Sequence, residues 1–374
     1  MVVAPELKDM IVRELGESDR HAWNEFVGDN PYGDTLQAWE WGLVKADGGD
    51  WRPLRLAVLN GKGEIAAGIA ILVRNLPVVG ALYYAARGPI MADWCDGALL
   101  GSLLEAVKER AKRDGAMLLK IDPAVPAQRE DVVAMLTKLG FQRPADQDAQ
   151  GFGGTQPKAV MVLQIGGKSD DELMAVFKAQ CRRNIRIAER KGVMVIDNPT
   201  REHLRPFYDI LKVTAARDGF TVRPYHYYEV LWDCLVANGL GRLFLTEFEG
   251  QYLSGALCFL TGDKCWYVYG ASSNENRNVM PNYAMQWAMI RWARDSGCRT
   301  YDLRGVAPIK PGEESSPEAE HLLGLNRFKE GFGAEFVEYV GEFDLPLDPA
   351  RYWVWTKAKP AAQRVLRQVK RAGH

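Results

Sequence analysis

Five stretches hold side chains suited to anion binding or proton chemistry. In "FKAQCRRNIRIAERKGV" (177–193), read as a helix, Lys178, Arg182, Arg186 and Arg190 recur every four residues and form one stripe. Arg183 and Lys191 add to the charge, and Glu189 is the single acid. Like charges at this spacing destabilise a helix by about 0.2–0.5 kcal/mol per pair. The stripe is therefore either a solvated face or a surface with a use. "LQAWEWGLVKADGGDW" puts Gln37, Trp41 and Lys45 on one helix face, with Trp51 just beyond. "TVRPYHYYEVL" sets Arg223 before Pro224, followed by Tyr225, His226, Tyr227 and Tyr228. Tyrosine stacks and arginine forks onto phosphate or carboxylate, a pairing that suits recognition. "CWYVYGASS" reads as a strand with Tyr267 and Tyr269 on one face. "LLGLNRFKEGFGAEFVEYVGEFDLPL" offers Lys329 in a glycine-rich bend, then a strand ending at Glu342. Taken singly, each has an ordinary reading: aromatic residues in the core, lone cations at the surface.

The elements that must position these residues come in two copies. "RLAVLNGKGEIAAGIA" (55–70) and "RLFLTEFEGQYLSGAL" (242–257) align at a constant offset of 187. Arg55 then matches Arg242, Gly63 matches Gly250 and Gly68 matches Gly255. Each copy reads as strand, tight turn and second strand, with a glycine inside the second strand marking a bulge or a close backbone approach. Further on, "AKRDGAMLLKID" (111–122) resembles "ARDSGCRTYDL" (293–303): the end of an amphipathic helix, a glycine stop, then a buried strand. The order strand–strand–strand–helix–strand thus occurs twice, which points to duplication. The boundary is expected near "ADQDAQGFGGTQPKAV" (145–160), where Gly, Gln and Asp cluster. Ser169 and Glu172 fit a capping box for the cationic helix, and Gly192 fits its stop.

Totals narrow the classes. With 374 residues, two domains are expected. No apolar run approaches 18 residues, so no transmembrane helix is expected. The opening "MVVAPELKDMIVREL" lacks a signal-peptide pattern, which predicts a cytoplasmic protein. Six scattered cysteines without a CxxC pair, and five histidines without ligand spacing, argue against a zinc site, other metal chemistry or a disulfide framework. Residues 351–374 carry seven Lys/Arg and no acid, leaving 40 basic and 48 acidic residues elsewhere. With Tyr352, Trp353 and Trp355, this tail suits either an anionic membrane face or a helix docking its tryptophans on the first domain.

The segments "RRNIRIAERKGV", "YVYGASS", "YDLRGV" and above all "LNRFKEGFGAEFVEYVGEFDLPL" resemble the FemABX family of aminoacyltransferases, over about residues 30–350. The resemblance implies an α/β (α+β) fold of two tandem acetyltransferase-like (GNAT-type) domains with a cleft between them. It implies that the chain returns to the first domain: 1–155 with 346–374, and 156–345. No heptad run is present, so the coiled-coil arm of some members is not expected.

The reaction implied is transfer of an amino acid from aminoacyl-tRNA to the side-chain amine of residue three of a UDP-linked or lipid-linked muramyl pentapeptide. No cofactor is needed, because the ester is already activated, and the amine attacks directly without a Ser or Cys nucleophile. By the resemblance, Lys45 and Arg223 hold the acceptor's pyrophosphate, and Trp51, Tyr227 and Tyr269 line the same site. Asp122, in "KIDPAV", matches a carboxylate of the family's cleft and is the expected base, with Glu342 in support. On the residues alone, Asp122 also reads as a turn residue before Pro123. A base or desolvation is required because a lysine ammonium has a pKa near 10.4. Lys329 matches the lysine of the family's "RFK" and either stabilises the oxyanion or holds the terminal tRNA phosphate. Lys178, Arg182, Arg186 and Arg190 would follow the tRNA backbone, or else the acceptor's phosphates. Met117 departs from the pattern, since some members have tyrosine there, and this bears on acceptor identity.

Two rivals come from other classes. An acyl-CoA N-acyltransferase needs a Q/R-x-x-G-x-G/A turn opening a helix. "RFKEGFGA" misses it by one residue, with Phe328 where Arg is required. A non-catalytic RNA-binding protein fits the stripe but leaves Lys45, Arg223 and Asp122 together unexplained.

Overall fold

The computed structural model describes residues 10–77, 79–144, 155–196, 199–309 and 317–358. Most of the expected boundary segment, 145–154, lies outside them. The chain divides into one unit of Met1–Phe26, Asn30–Gln147 and Val340–His374, and a second of Val27–Asp29 and Asp148–Tyr339.

In chain order the first unit contains β1 (Ile11–Glu14), α1 (Arg20–Asp29, whose last residues group with the second unit), α2 (Trp39–Asp47), β2 (Arg52–Leu59), β3 (Ile65–Leu76), β4 (Gly80–Ala85), β5 (Ile90–Met91), α3 (Gly97–Asp114), β6 (Ala116–Ile121) and α4 (Glu130–Lys138). The second contains β7 (Ala159–Gln164), α5 (Asp170–Val176), α6 (Ala179–Lys191), β8 (Met194–Val195), α7 (Leu204–Asp218), α8 (Tyr225–Leu231), β9 (Gly241–Phe248), β10 (Gln251–Thr261), β11 (Lys264–Ser272), α9 (Pro281–Asp295), β12 (Thr300–Val306), α10 (Pro317–Glu330) and β13 (Glu335–Glu338). The chain then returns to the first unit as β14 (Phe343–Pro346) and α11 (Pro349–Trp353).

The duplicated order holds in both sheets. The first runs β1-β2-β3-β4-β6-β14, with β5 beside β3; the second runs β13-β7-β12-β11-β10-β9-β8. Each has an antiparallel three-strand meander, then a parallel neighbour reached through a crossover helix: β4–α3–β6 and β11–α9–β12. Leu100, Leu103, Leu104, Val107 and Ala111 line the buried face of α3, at helical spacing, against alternate residues of the strands. Met285, Met289, Ile290 and Ala293 of α9 do the same in the second core.

The two in-strand glycines are close approaches. A Cβ on Gly68 would lie 2.5 Å from the Trp23 ring of α1, and one on Gly255 would lie 2.8 Å from the Phe207 ring of α7. The matched glycines thus let matched helices sit flat on matched sheets.

Local structure corrects several expectations. The Ser169–Glu172 capping box belongs to α5, a separate helix. The chain turns extended at Phe177, with Lys178 as the N-cap of α6, so the stripe's first member lies outside its helix. Gly192 does end α6, in the left-handed conformation at φ +81°. Gln37 lies in a short 3-10 turn (Thr35–Gln37) before α2 rather than on its face. Its buried amide instead bridges Ala70 of β3 and Ala86, just past the end of β4. Among the described residues no helix is long and apolar enough to cross a membrane, and the longest has 18 residues.

Candidate active site

In the first unit the site grows from strand alternation. Leu119 and Ile121 of β6 enter the apolar core, so Lys120 and Asp122 point to the other face. On β14, Phe343 and Leu345 enter the same core, and Glu342 and Asp344 point away. Asp344 pairs with Lys120 in the ladder, and Glu342 stands one step past the Phe343–Ile121 pair. Four ionisable side chains therefore form a two-by-two block. Lys120 Nζ donates to Glu342 Oε2 at 2.9 Å and lies 2.9 Å from Asp344 Oδ1 as an ion pair.

Asp122 directly follows the last residue of β6, before Pro123, and is 1% exposed. Tyr84 Oη donates to its Oδ2 at 2.7 Å and the Arg87 backbone N–H to its Oδ1 at 2.6 Å. Arg87 holds that donor in place with φ +58°, a conformation that costs a non-glycine residue of order 1 kcal/mol or more. Burial, with a smaller contribution from nearby Glu342, raises the Asp122 carboxyl to about 6 against the Arg87 charge and the two donors. A carboxylate with a midpoint there can accept a proton near neutrality. Glu342 precedes β14 and does not end a strand, because the single strand expected after Lys329 is two strands, β13 and β14, in different sheets.

Lys45 and Trp51 are both half-buried. Lys45 Nζ lies 4.5 Å from the Trp41 ring centroid, and the Arg74 guanidinium lies 5.5 Å from the Trp51 ring. Met117 is fully buried in β6.

In the second unit, Lys329 sits in the last turn of α10, not in the glycine-rich bend, and is 3% exposed. The "LNRFK" segment explains how. Asn326 clamps Ala307, its Oδ1 accepting from the Ala307 N–H at 3.0 Å and its Nδ2 donating to the Ala307 carbonyl at 3.2 Å. One turn later on the same helix face, Lys329 Nζ donates to the carbonyls of Gly305 at 2.6 Å and Arg304 at 3.2 Å. Those carbonyls turn toward it because β12 is irregular between Asp302 and Gly305, with Arg304 at φ +61°. Phe328 and Phe332 pack edge-on at 5.3 Å and, with Tyr283 and Phe177, seat the helix end. Burial lowers the Lys329 ammonium to about 7, opposed by the Asp302 carboxylate.

Tyr227 of α8 and Tyr269 of β11 share a hydrogen bond between hydroxyls at 2.9 Å, and the exposed Arg223 lies 5.4 Å from the Tyr227 ring. Burial pushes the Tyr227 hydroxyl up to about 12 and the Tyr269 hydroxyl well above its ordinary value, so both remain protonated near neutrality. Tyr267 does not face the same way. The β10–β11 register shifts between the Leu257–Tyr269 and Cys258–Tyr267 pairs, and this bulge turns Tyr267 into the α9 core and Tyr269 onto Tyr228 and Phe259. On the stripe, Lys178 pairs with Glu330 at 2.7 Å, and Arg182 turns back to donate to the Phe177 carbonyl. Arg186 and Arg190 are exposed.

Within each unit the structure brings expected residues together: Asp122 with Glu342, and Tyr227 with Tyr269 and Arg223. Sequence reasoning missed Tyr84, Arg87, Lys120 and Asp344 in the first unit, and Asp302, Arg304 and Asn326 in the second. The alternation in "LLKID", a charge at each second position between buried apolar residues, signals Lys120. Nothing in the sequence flags the left-handed arginines. "RFKEGFGA" closes α10 and leads into β13, so it opens no helix of the kind a CoA pyrophosphate needs.

Two α/β units of this plan define a tandem GNAT-like fold, and each holds a buried titratable group, Asp122 in the first and Lys329 in the second. A tandem GNAT protein from the clavulanic acid biosynthesis pathway shares that fold, with a TM-score of 0.52 and 13% identity over 91% of this chain and 99% of its own. The chain belongs to the FemAB family, whose model matches residues 19–236 and 244–360. It is an enzyme, an aminoacyltransferase. The crystal structure of FemX superposes with a TM-score of 0.80 at 28% identity, covering 91% of this chain and 99% of FemX. A lipid II:glycine glycyltransferase of Staphylococcus aureus (strain MRSA252) is 31% identical over 92% of this chain and 97% of its own. That alignment spans 418 residues, more than this chain has, so the relative carries segments absent here.

Proposed function

We propose that the enzyme transfers an aminoacyl group, glycyl by analogy with the Staphylococcus aureus relative, from aminoacyl-tRNA to the side-chain amine of residue three of a lipid-linked muramyl pentapeptide. What supports this reading is the likeness to the glycyltransferase together with one buried group in each unit: Asp122, held by Tyr84 and the Arg87 N–H and raised to about 6, and Lys329, held on the Gly305 and Arg304 carbonyls and lowered to about 7. Such displacement is what acid–base work at neutral pH requires. The amine attacks the ester carbonyl carbon and forms the C–N bond. Asp122 takes the nitrogen's proton, with Glu342 beside it. The Lys329 ammonium stabilises the oxyanion, and collapse breaks the C–O bond as the proton taken by Asp122 passes to the leaving ribose oxygen, which departs as the hydroxyl of the tRNA. Lys45 and Arg223 hold the acceptor's diphosphate, and Trp51, Tyr227 and Tyr269 line its sugar and peptide. Arg186 and Arg190, with Lys178 and Arg182 in support, follow the tRNA backbone.

The test is label transfer from a panel of charged tRNAs to lipid-linked and UDP-linked pentapeptides. Transfer from glycyl-tRNA to the lipid-linked acceptor is the expected result. No transfer to either acceptor, or equal labelling from acetyl-CoA, overturns the reading. A lipid-linked acceptor also gives residues 351–374 a role at the inner membrane face. Trp353 is 61% and Val354 39% exposed, next to the exposed Arg351 and Lys357. Residues 359–374 lie outside the described residues. Flotation with phosphatidylglycerol vesicles should fall on Trp353→Ser; unchanged flotation removes this contact.

A further inference from the structure

We propose that helix α11 is a working part of the carboxylate site in the first unit: through Tyr352, Asp344 and Lys120 it sets the charge state of Glu342 and Asp122. The geometry is a continuous chain. Asp348 caps α11, its carboxylate accepting from the Arg351 N–H at 3.1 Å. Tyr352, on the inner side of that helix, donates its hydroxyl to Asp344 Oδ2 at 3.0 Å. Asp344 Oδ1 lies 2.9 Å from Lys120 Nζ, and the same ammonium donates to Glu342. Glu342 stands beside Asp122 and acts on its charge. Asp344 is also pinned through its backbone, which exchanges two hydrogen bonds of 2.8 Å with Gln142. Asp344, Glu342 and Asp122 are all buried, so their charges are poorly screened.

The groups facing the block from the packed elements are Tyr84 of β4 and Arg87 just after it, Lys120 of β6 and Asp122 just after it, Asp344 of β14 and Glu342 just before it, and Tyr352 of α11. Asp122, Glu342 and Asp344 thus have Lys120 and Arg87 beside them, and Arg143 donates to the Val340 carbonyl two residues before Glu342. Lys120 is divided between Glu342 and Asp344, so whatever holds Asp344 ionised keeps the ammonium from neutralising Glu342 in full. An ionised Glu342 in turn keeps Asp122 basic. Tyr352 and Asp344 are positioning residues that act through Lys120 and touch no substrate. This role rests on the reading of Asp122 as the base, but its measurement does not.

Carbon-13 NMR of the full chain labelled at aspartate Cγ reads the Asp122 titration directly, with the resonance assigned by its loss in Asp122→Asn. Removing one negative charge from the block, in Asp344→Asn, should lower the Asp122 midpoint by about 0.5–1 unit; Tyr352→Phe, which removes the donor that helps hold Asp344 ionised, should lower it by less. Where transfer is measured, the acid limb of kcat/KM moves with it, and Lys120→Arg keeps the limb in place. An unmoved Asp122 midpoint in both variants overturns the proposal, and a shift in Asp344→Asn alone overturns the part played by α11. If Asp344→Asn does not fold, Tyr352→Phe, which loses a single hydroxyl, decides. A moving midpoint in a protein that transfers nothing would leave this inference standing and remove the proposed function instead.

Discussion

In the first unit the parallel pair β4 and β6 shifts register once, after Ala81–Ala116, and then pairs regularly from Leu82–Leu118 to Ala85–Ile121, and side chains on the strand faces build the polar site. In the second, β11 and β12 pair only from Lys264–Thr300 to Trp266–Asp302. There the backbone of β12 itself supplies the polar groups, as carbonyls that receive Lys329. One site is a set of carboxylates around a lysine, and the other is a lysine on carbonyls with Asp302 nearby. The same plan therefore yields opposite titration problems. Burial penalises charge in both, so it raises the acid and lowers the base. Each unit also uses an arginine at positive φ to aim a backbone N–H at a buried aspartate: Arg87 at Asp122 and Arg304 at Asp302, both at 2.6 Å. Two copies of one fold have diverged in the charge they bury, and they place the arginine differently: Arg87 just after β4, reaching across to Asp122, and Arg304 within β12, two residues from Asp302.

The sharpest break of this comparison is Lys329→Met. Turnover should fall by at least about 10³-fold, since a buried full charge at an oxyanion is worth several kcal/mol, roughly. If Lys329 stabilises the oxyanion, kcat carries the loss; if it holds a tRNA phosphate, KM for the charged tRNA does. Stability should move the other way. The folded ammonium titrates near 7 and the unfolded one near 10.4. Between those values the unfolded chain keeps a proton that the folded chain gives up, so stability rises with pH there. The lysine's charge thus costs most below pH 7 and nothing above about 10.4. Relative to the parent, Lys329→Met should gain about 3–5 kcal/mol more at pH 6 than at pH 10.5, order of magnitude, by denaturant titration at both pH values. A pH-independent difference would mean that Lys329 is not titrating in the fold.

Next in size is a test of the matched packing. Gly68→Ala drives a Cβ into Trp23, which is fully buried, and should cost about 2–3 kcal/mol; Gly255→Ala meets the edges of Phe207 and Leu245 and should cost about 1–2. Chemical denaturation of both variants checks the ranking. A cost near zero at both sites would show that the glycines are not close-approach positions, and the duplication would lose its physical basis.

The repeat was legible because it rests on backbone necessities: a left-handed turn at Gly63 and Gly250, a bare Cα under an aromatic ring at Gly68 and Gly255, and a helix stop before a buried strand. Asp122, Glu342 and Lys329 stood out through family resemblance, and their burial was not readable at all. A lysine in "NRFKEGFG" looks like a bend, because the glycines that follow conceal that α10 runs to Glu330. Tyr267 and Tyr269 were placed on one face because period two holds only in a regular strand, and a single bulge reverses it. The Lys120–Asp344 pair was illegible for a third reason: its partners lie more than 200 residues apart and meet through the β6–β14 ladder.

The smallest expected effect concerns the stripe, where the structure separates residues that sequence spacing treats alike. Arg182 closes the carboxyl end of α5, donating to the Phe177 carbonyl and, at 3.4 Å, to that of Met174. Lys178 is held by Glu330, in the turn that carries Lys329. Arg186 and Arg190 are exposed and carry charge into solvent. Arg186→Glu with Arg190→Glu should therefore raise KM for charged tRNA several-fold at low salt, leave kcat and thermal stability near the parent's, and flatten the salt dependence of binding. Arg182→Glu should instead lower stability by about 1–2 kcal/mol, through the lost carbonyl bonds and the repulsion at a helix carboxyl end. If Arg182→Glu changes tRNA affinity as much as the exposed pair and leaves stability alone, the guanidinium serves the nucleic acid and not α5. Lys178→Glu would distinguish the two further: next to Glu330 it would unsettle the last turn of α10 and lower kcat through Lys329, an effect that added salt would not mimic.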